Sequence, residues 1–326
     1  MTEERIQLDE PSQAVMREAR RLVRRKDRKS LGRFLVEGRQ AVREALKAEG
    51  VVESLFLRWA NVHDNLDILN LARACQVPVY GVSEQNLATI SDTITPQGVV
   101  AVAHNIDISL SELMGTKRKN PAKEKKKHAR KDVSLVVICA QIRDPGNAGT
   151  VIRCADAFGA DAVILSSDSV EVYNPKVVRA SVGSIFHLPI VVGAELETAI
   201  EACRAAGMQI LATDGDAGVD LTDIASDLER PTAWVMGNEA WGLPSESLEL
   251  SDETVAVPIY GQAESLNLAT AAAICLYASA SAQRSESGGD NGNRGAASGH
   301  SAPTPAQSDV RSVGRVEFAS PASPEA

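Results

Sequence analysis

Long apolar runs are missing from this sequence, and none approaches the roughly 20 residues that a membrane-spanning helix requires. The opening segment MTEERIQLDEP is acidic and lacks an apolar core, so no secretory signal is expected there. Cysteine is scarce. Cys75, Cys139, Cys154, Cys203 and Cys275 are odd in number and form no CxxC pair. They read as small buried hydrophobes in a reducing cytoplasm, not as disulfides or metal ligands. A GxGxxG turn is absent: residues 144–149 read DPGNAG, which disfavours a dehydrogenase or methyltransferase of the ordinary Rossmann type. No GxSxG segment occurs, which disfavours a serine hydrolase. An overall basic charge is missing too, since the formal net charge is −9.

What is present is ordinary in amount and uneven in placement. The 326 residues suffice for about two domains. With 44% hydrophobic and 24% charged residues, the composition is that of a soluble globular protein. Residues 17–33 hold nine bases against Glu18 and Asp27. Residues 116–131 hold nine more against Glu124. Residues 133–284 instead carry seven bases and 20 acids. The pattern is that of basic arms on an acidic body. In the first block Ser12 can cap a helix whose apolar stripe is Val15, Ala19, Leu22 and Val23. Nine bases around that stripe favour a phosphate-contacting helix over a merely solvated one.

Residues 31–108 alternate strand and helix and predict a small α/β domain. FLVEGRQAVREAL is a strand running into a helix, and Ser83 can cap a later helix. Residues 1–30 are then a basic helical extension and 109–132 a basic linker. From residue 133 the alternation is stronger. SLVVICA is a continuous apolar run, as expected of a parallel strand buried on both faces. Alternating elements over 133–284, ending in the helix LNLATAAAICLYASAS, predict a mostly parallel sheet covered on both sides. Residues 285–326 are rich in Ser, Gly, Ala and Pro without periodicity and read as a disordered tail.

Three segments of the second domain place polar residues where a plain α/β fold has no need of them. DPGNAGTVIRCADAFGAD, residues 144–161, opens a helix. Asn147 is a natural N-cap, Gly146 and Gly149 allow a tight turn and close backbone approach, and Arg153 lies on the second helical turn. MGNEAWGLP, residues 236–244, leaves a strand with two glycines bracketing Asn238, Glu239 and Trp241. Such a loop lies at the carboxyl end of a strand, where open α/β sheets bind ligands. VPIYGQAESLNLATAAAICLYA, residues 257–278, passes from a strand through a loop, with Ser265 or Asn267 starting a long helix. Each segment alone reads as a cap or a turn.

Together and in this order they resemble the three signature motifs of the SpoU–TrmH family of RNA ribose 2′-O-methyltransferases. YNPKVVRASVGSIFHLPI is similar to the family as well, and the FLVEGRQAVREAL region resembles the N-terminal substrate-binding domain of its rRNA-modifying members. The likeness covers roughly 17–284. Ala240 stands where many members have glycine.

The resemblance implies a small N-terminal α/β substrate-binding domain and a C-terminal α/β domain whose chain threads into a deep trefoil knot. It implies S-adenosylmethionine as cofactor, held by backbone groups at or near Thr213, Gly237, Val257 and Leu266. It implies a homodimer in which Arg153 acts near the partner's cofactor pocket. Asn147 would orient Arg153 or the RNA, Glu239 would accept hydrogen bonds between loops, and Ser265 and Asn267 would fix the knot and the ribose. The reaction implied is methyl transfer from a sulfonium to a ribose 2′-hydroxyl in the cytoplasm, without a metal or a membrane. The extra N-terminal domain points to large-subunit (23S) rRNA. A tRNA substrate, and a non-catalytic RNA-binding protein of the same fold, are the alternatives.

Overall fold

Two sheets form where apolar and β-branched residues cluster. The computed structural model describes residues 6–93, 96–115 and 133–287. The second basic block and the tail beyond residue 287 lie outside the described residues.

The chain opens with α1 (Gln13–Arg21) and α2 (Arg25–Leu31), two helices where one was expected. Ser12 caps the first, its Oγ accepting from the Val15 N–H at 3.3 Å. Met16, Ala19 and Leu22 are buried against Leu35, Phe56 and Val100, so α1 belongs to a core and is not a free arm. The basic block also divides. Arg20 donates to Thr89 and Asn86, Arg21 to Asp27, Arg28 to Glu171, and Arg33 to Glu53 and Glu18. Arg17, Arg24, Arg25, Lys26 and Lys29 remain exposed.

The first sheet contains β1 (Arg33–Glu37), β2 (Val52–Arg58), β3 (Val79–Val82) and β4 (Val99–His104) in the order β1-β4-β2-β3. β4 runs antiparallel to both neighbours, and β2 and β3 are parallel. Its helices are α3 (Arg39–Lys47), α4 (Leu66–Ala74) and α5 (Glu84–Ala88), the last capped by Ser83 as expected. A short α6 (Leu110–Leu113) follows, closed by a capping box between Ser109 and Glu112.

The second sheet is wholly parallel. It comprises β5 (Leu135–Cys139), β6 (Ala162–Ser166), β7 (Ile190–Ala194), β8 (Gln209–Thr213), β9 (Val219–Asp220), β10 (Thr232–Met236) and β11 (Glu253–Ala256). Their order is β7-β6-β5-β10-β8-β11-β9. All five residues of β5, β6 and β10 are buried, as strands covered on both faces require. Helices α7 (Pro145–Phe158), α8 (Pro175–Ser181), α9 (Leu196–Ala205), α10 (Ser245–Leu248) and α11 (Leu268–Ser287) accompany it. α11 lies on β10, where buried Trp234 donates its indole N–H to Ser279 at 2.9 Å. The tail expected from residue 285 therefore begins with the last turn of α11.

α8 is shorter than the expected helix. Val182 and Gly183 adopt positive φ, and the chain resumes as a 3₁₀ turn at Ser184–Phe186. A side chain at Gly183 would lie 2.8 Å from Cγ of Glu44 on α3, so the break lets the two helices approach. Phe34 of β1 also packs on Tyr173, ring centroids 4.4 Å apart, and one hydrophobic cluster spans residues of both sheets.

Strand order decides where a site can form. From β5 the chain proceeds outward to β6 and β7, then crosses to the other side, where β10 stands next to β5 and β8 lies beyond β10. The boundary between β5 and β10 is a topological switch point, and crevices open there at the carboxyl ends of the strands. Cys139 and Met236, the last residues of β5 and β10, are paired. The first two motifs leave from that pair.

Candidate active site

Helix α7 starts one residue after Asp144, not at Asn147. Asp144 Oδ1 accepts the Asn147 N–H at 2.8 Å, which makes Asp144 the cap and corrects the expectation for Asn147. Pro145 occupies the first turn, where its missing N–H costs nothing. This releases the Asn147 side chain for other work. Its Nδ2 donates to Glu239 Oε1 at 3.1 Å, and its Oδ1 accepts from Asn267 Nδ2 at 2.9 Å. The three motifs are thus bonded to one another through Asn147.

Glu239 gathers further donors. The N–H groups of Arg143 and Asp144 reach its carboxylate at 3.2 and 3.1 Å. Desolvation raises its pKa, but its own N–H, Asn147 and those two backbone groups outweigh it and hold the carboxyl below its ordinary range. Burial first, and the Glu239 charge second, push the neighbouring Cys139 thiol up to about 12, so it stays neutral. Cys203 and Cys275 are buried as well, Cys154 is half-buried and Cys75 is exposed, so the buried reading holds for three of the five.

The Glu239 loop is itself tightly closed. Asn238 and Gly242 exchange backbone hydrogen bonds at 2.8 and 2.9 Å. The buried Asn238 side chain donates to the Gln141 carbonyl and accepts from the Ala240 N–H, both at 2.8 Å. Asn238 and Gln141 carried no assigned role in the sequence; the signal for Asn238 was its place between two glycines. Gly237 is held to glycine by the loop that follows it. A Cβ there would lie 2.5 Å from the Gly242 carbonyl carbon, so its bareness admits the close return of its own loop.

Asn267 caps α11, its Oδ1 accepting from the N–H groups of Ala269 and Thr270. Ser265 is exposed two residues earlier. Thr213, at the end of β8, donates to the Val235 carbonyl at 3.4 Å and pairs with Val255 of β11. Thr213, Gly237 and Val257 therefore mark the ends of three adjacent strands. From 257 to 266 no backbone group has a hydrogen-bond partner among the described residues, although Val257, Pro258 and Leu266 are partly buried. Residues 259–265 are exposed, so water satisfies these groups, and they stay available to a ligand that takes backbone hydrogen bonds.

Arg153 stands apart. It is exposed on α7 and makes no side-chain hydrogen bond among the described residues. Six helical residues separate it from Asn147, which turns it about 120° away from the bonded cluster. No group of three or more metal-ligating side chains occurs among the described residues, and no helix there is long and apolar enough to cross a membrane.

Comparison with known proteins gives this geometry a relative. The chain is 32% identical over 272 residues to the 23S rRNA (guanosine(2553)-2′-O)-methyltransferase RlmP of Bacillus subtilis (strain 168), covering 83% of this chain and 98% of that one. The model of the SpoU rRNA Methylase family matches residues 134–277. The chain belongs to the SpoU rRNA methylase family. An MRM3-like substrate binding domain model matches residues 14–101, which include α1, α2 and the first sheet. The crystal structure of the SpoU methyltransferase AviRb from Streptomyces viridochromogenes with AdoMet superposes with a TM-score of 0.66 at 31% identity, covering 83% of this chain and 98% of that chain. An AdoMet-bound rRNA methyltransferase from Sinorhizobium meliloti gives 0.66 at 29% identity, with 83% and 96% covered. For a SpoU chain, the bonded cluster at Asn147 is the meeting point of its three motifs.

Proposed function

We propose that this chain is an S-adenosylmethionine-dependent RNA methyltransferase that methylates a ribose 2′-hydroxyl in large-subunit (23S) rRNA. The observation that carries the reading is the direct bonding of Asn147, Glu239 and Asn267, which joins three motifs at a switch point. The named function of the relative and the AdoMet in related structures support it.

The unpaired backbone of 257–266, with Thr213 and Gly237 beside it, fits a cofactor held largely through main-chain groups. Thr213, Gly237, Val257 and Leu266 are the residues that hold it. When bound, S-adenosylmethionine supplies a methyl group on a sulfonium, already a good leaving group. What remains for the protein is alignment and charge. Glu239 and Asn147 fix the loops. Asn267 and the exposed Ser265 hydroxyl position the ribose. Arg153 holds an adjacent phosphate and stabilises the alkoxide developing at O2′ as the methyl–sulfur bond breaks, and the hydroxyl proton passes to solvent water. With a pKa above about 12, arginine is a costly general base, so the electrostatic role is preferred.

Its turn of about 120° away from the cluster within one chain supports action in a homodimer, where Arg153 serves the partner's site. The C-terminal segment is read as threaded into a deep trefoil knot, and the enzyme as cytoplasmic. The deciding experiment is methyl transfer from radiolabelled S-adenosylmethionine to large-subunit rRNA, small-subunit rRNA and bulk tRNA. Label in large-subunit rRNA alone, lost in Arg153→Ala, is expected. Label in tRNA alone would overturn the substrate. Absence of both label and cofactor binding would favour a non-catalytic RNA-binding protein. Arg153→Lys separates the roles: substantial activity with lysine supports charge, and total loss with RNA binding intact supports a base.

A further inference from the structure

A cavity of about 320 Å³ opens where α2 meets the loop leading into α7. Arg25 and Arg143, 118 positions apart in sequence, both line it. We infer that this cavity is a binding site for one RNA phosphodiester, held between the Arg25 and Arg143 guanidinium groups beside the reacting ribose. The inference rests on the RNA methyltransferase reading.

Neither arginine is consumed by the fold. Arg143 is exposed, and its guanidinium has no carboxylate partner among the described residues. Arg25 is 75% exposed and comes only within 3.8 Å of Glu171. That carboxylate is already matched by buried Arg28, whose two bonds to it measure 2.8 and 2.6 Å. Asp168 is the remaining acid in the lining and is exposed. With Glu171 matched by Arg28 from outside the lining, Arg25 and Arg143 face one remaining carboxylate, Asp168. Neutral donors complete the set. Asn174 uses its Oδ1 to cap α8, which leaves its NH₂ group to donate, and the Ser167 hydroxyl has no other partner among the described residues. Planar guanidinium forks next to neutral donors suit a phosphate oxygen pair.

Position assigns the ligand. The Arg143 N–H bonds Glu239, so the cavity begins one residue from the motif cluster. Arg24, which precedes α2, and Lys26 and Lys29 on it are exposed neighbours of Arg25 in sequence. A strand entering the site crosses an otherwise acidic domain here, and a contact at this point sets its register without reading its bases.

The test compares Arg25→Gln, Arg143→Gln, the double variant and Arg143→Lys in the full chain. Arg73→Gln, on an exposed arginine of α4, controls for net charge. The ligand is the rRNA fragment that the parent chain methylates. Each single glutamine variant is expected to weaken RNA binding about tenfold at low salt. KM for RNA rises, kcat changes little, and affinity for S-adenosylmethionine is unchanged. The double variant lowers the slope of log K against log salt by about 0.7 to 0.9, the loss of one phosphate contact. Arg143→Lys restores most of the binding. An unchanged slope, or an equal effect from Arg73→Gln, overturns the inference. So does a loss of cofactor affinity, which would assign the cavity to the cofactor. A parent that binds and methylates no RNA overturns the function reading, and the inference with it.

Discussion

Helix α7 carries polar side chains in two conditions. Asn147 and Asp156 are bonded on both the near and the far side of the helix, to Glu239 and Asn267 at one end and to His187 at the other. Arg153, between them, is bonded to nothing among the described residues. The difference separates what a single folded chain completes from what it leaves for another molecule. Paired groups spend their hydrogen bonds on holding loops. An exposed cation without a partner contributes nothing to that and is free for a phosphate.

The largest effect should follow from breaking the free member. Arg153→Ala is expected to lower the methylation rate about 10²- to 10³-fold, as for loss of one charge-stabilising donor. Its melting temperature should match the parent, because an exposed residue without contacts changes stability by less than about 0.5 kcal/mol. A rate loss accompanied by a fall in melting temperature would place Arg153 among the paired groups and erase the contrast.

Next comes the helix's own seat. Gly149 is buried, and a Cβ there would lie 2.5 Å from the Val177 carbonyl oxygen and 2.6 Å from Ala180 Cβ. Alanine is the better helix former by about 1 kcal/mol. Both opposing contacts belong to α8 and cannot swing aside, so overpacking in Gly149→Ala should win and destabilise by about 1–3 kcal/mol. Denaturant unfolding measures it. A Gly149→Ala chain as stable as the parent would mean that α7 and α8 are not locked together.

Glu239→Gln tests the bonded cluster. The amide keeps one acceptor oxygen for three donors, so stability should fall by about 1 kcal/mol. The folded pKa of Glu239 lies below its ordinary value of 4.5. Its contribution is therefore present above that value and is lost as pH falls through the lowered pKa. The variant should show a shallower loss of stability in that acidic window. An unchanged acid profile would show that the carboxylate is not what ties the motifs.

Much of this division was legible in the residues. The buried runs LVVIC and TAWVM announce central parallel strands, and the grouping of Asn147, Glu239 and Asn267 was implied by the resemblance of the three motifs to a known family. Strand order was not legible, because β10 entering beside β5 is a long-range pairing that periodicity does not record. The cap of α7 was misplaced, since Asp and Asn are equally good caps; Pro145, favoured at the first helical position, was the available signal. The charge of the first basic block was visible, but its partition was not. Arg28 looks like its neighbours in sequence and differs by facing Glu171, 143 residues away.

The smallest expected effect lies at the far side of α7. His187 bonds Asp156 through Nδ1 at 2.8 Å and Glu44 of α3 through Nε2 at 3.2 Å. Lys47 and Gln40 also reach Glu44. Desolvation lowers the imidazole pKa, but the two carboxylates outweigh it and raise the pKa above its ordinary 6.5. A raised folded pKa means that the contribution is complete below 6.5 and is lost as pH climbs through the folded value. His187→Gln should therefore cost less than about 1 kcal/mol, as solvent-screened pairs do, and only on the acidic side. Parent and variant should converge at alkaline pH. A gap that stays constant with pH would make His187 a packing residue, and the paired condition of Asp156 would then owe nothing to charge.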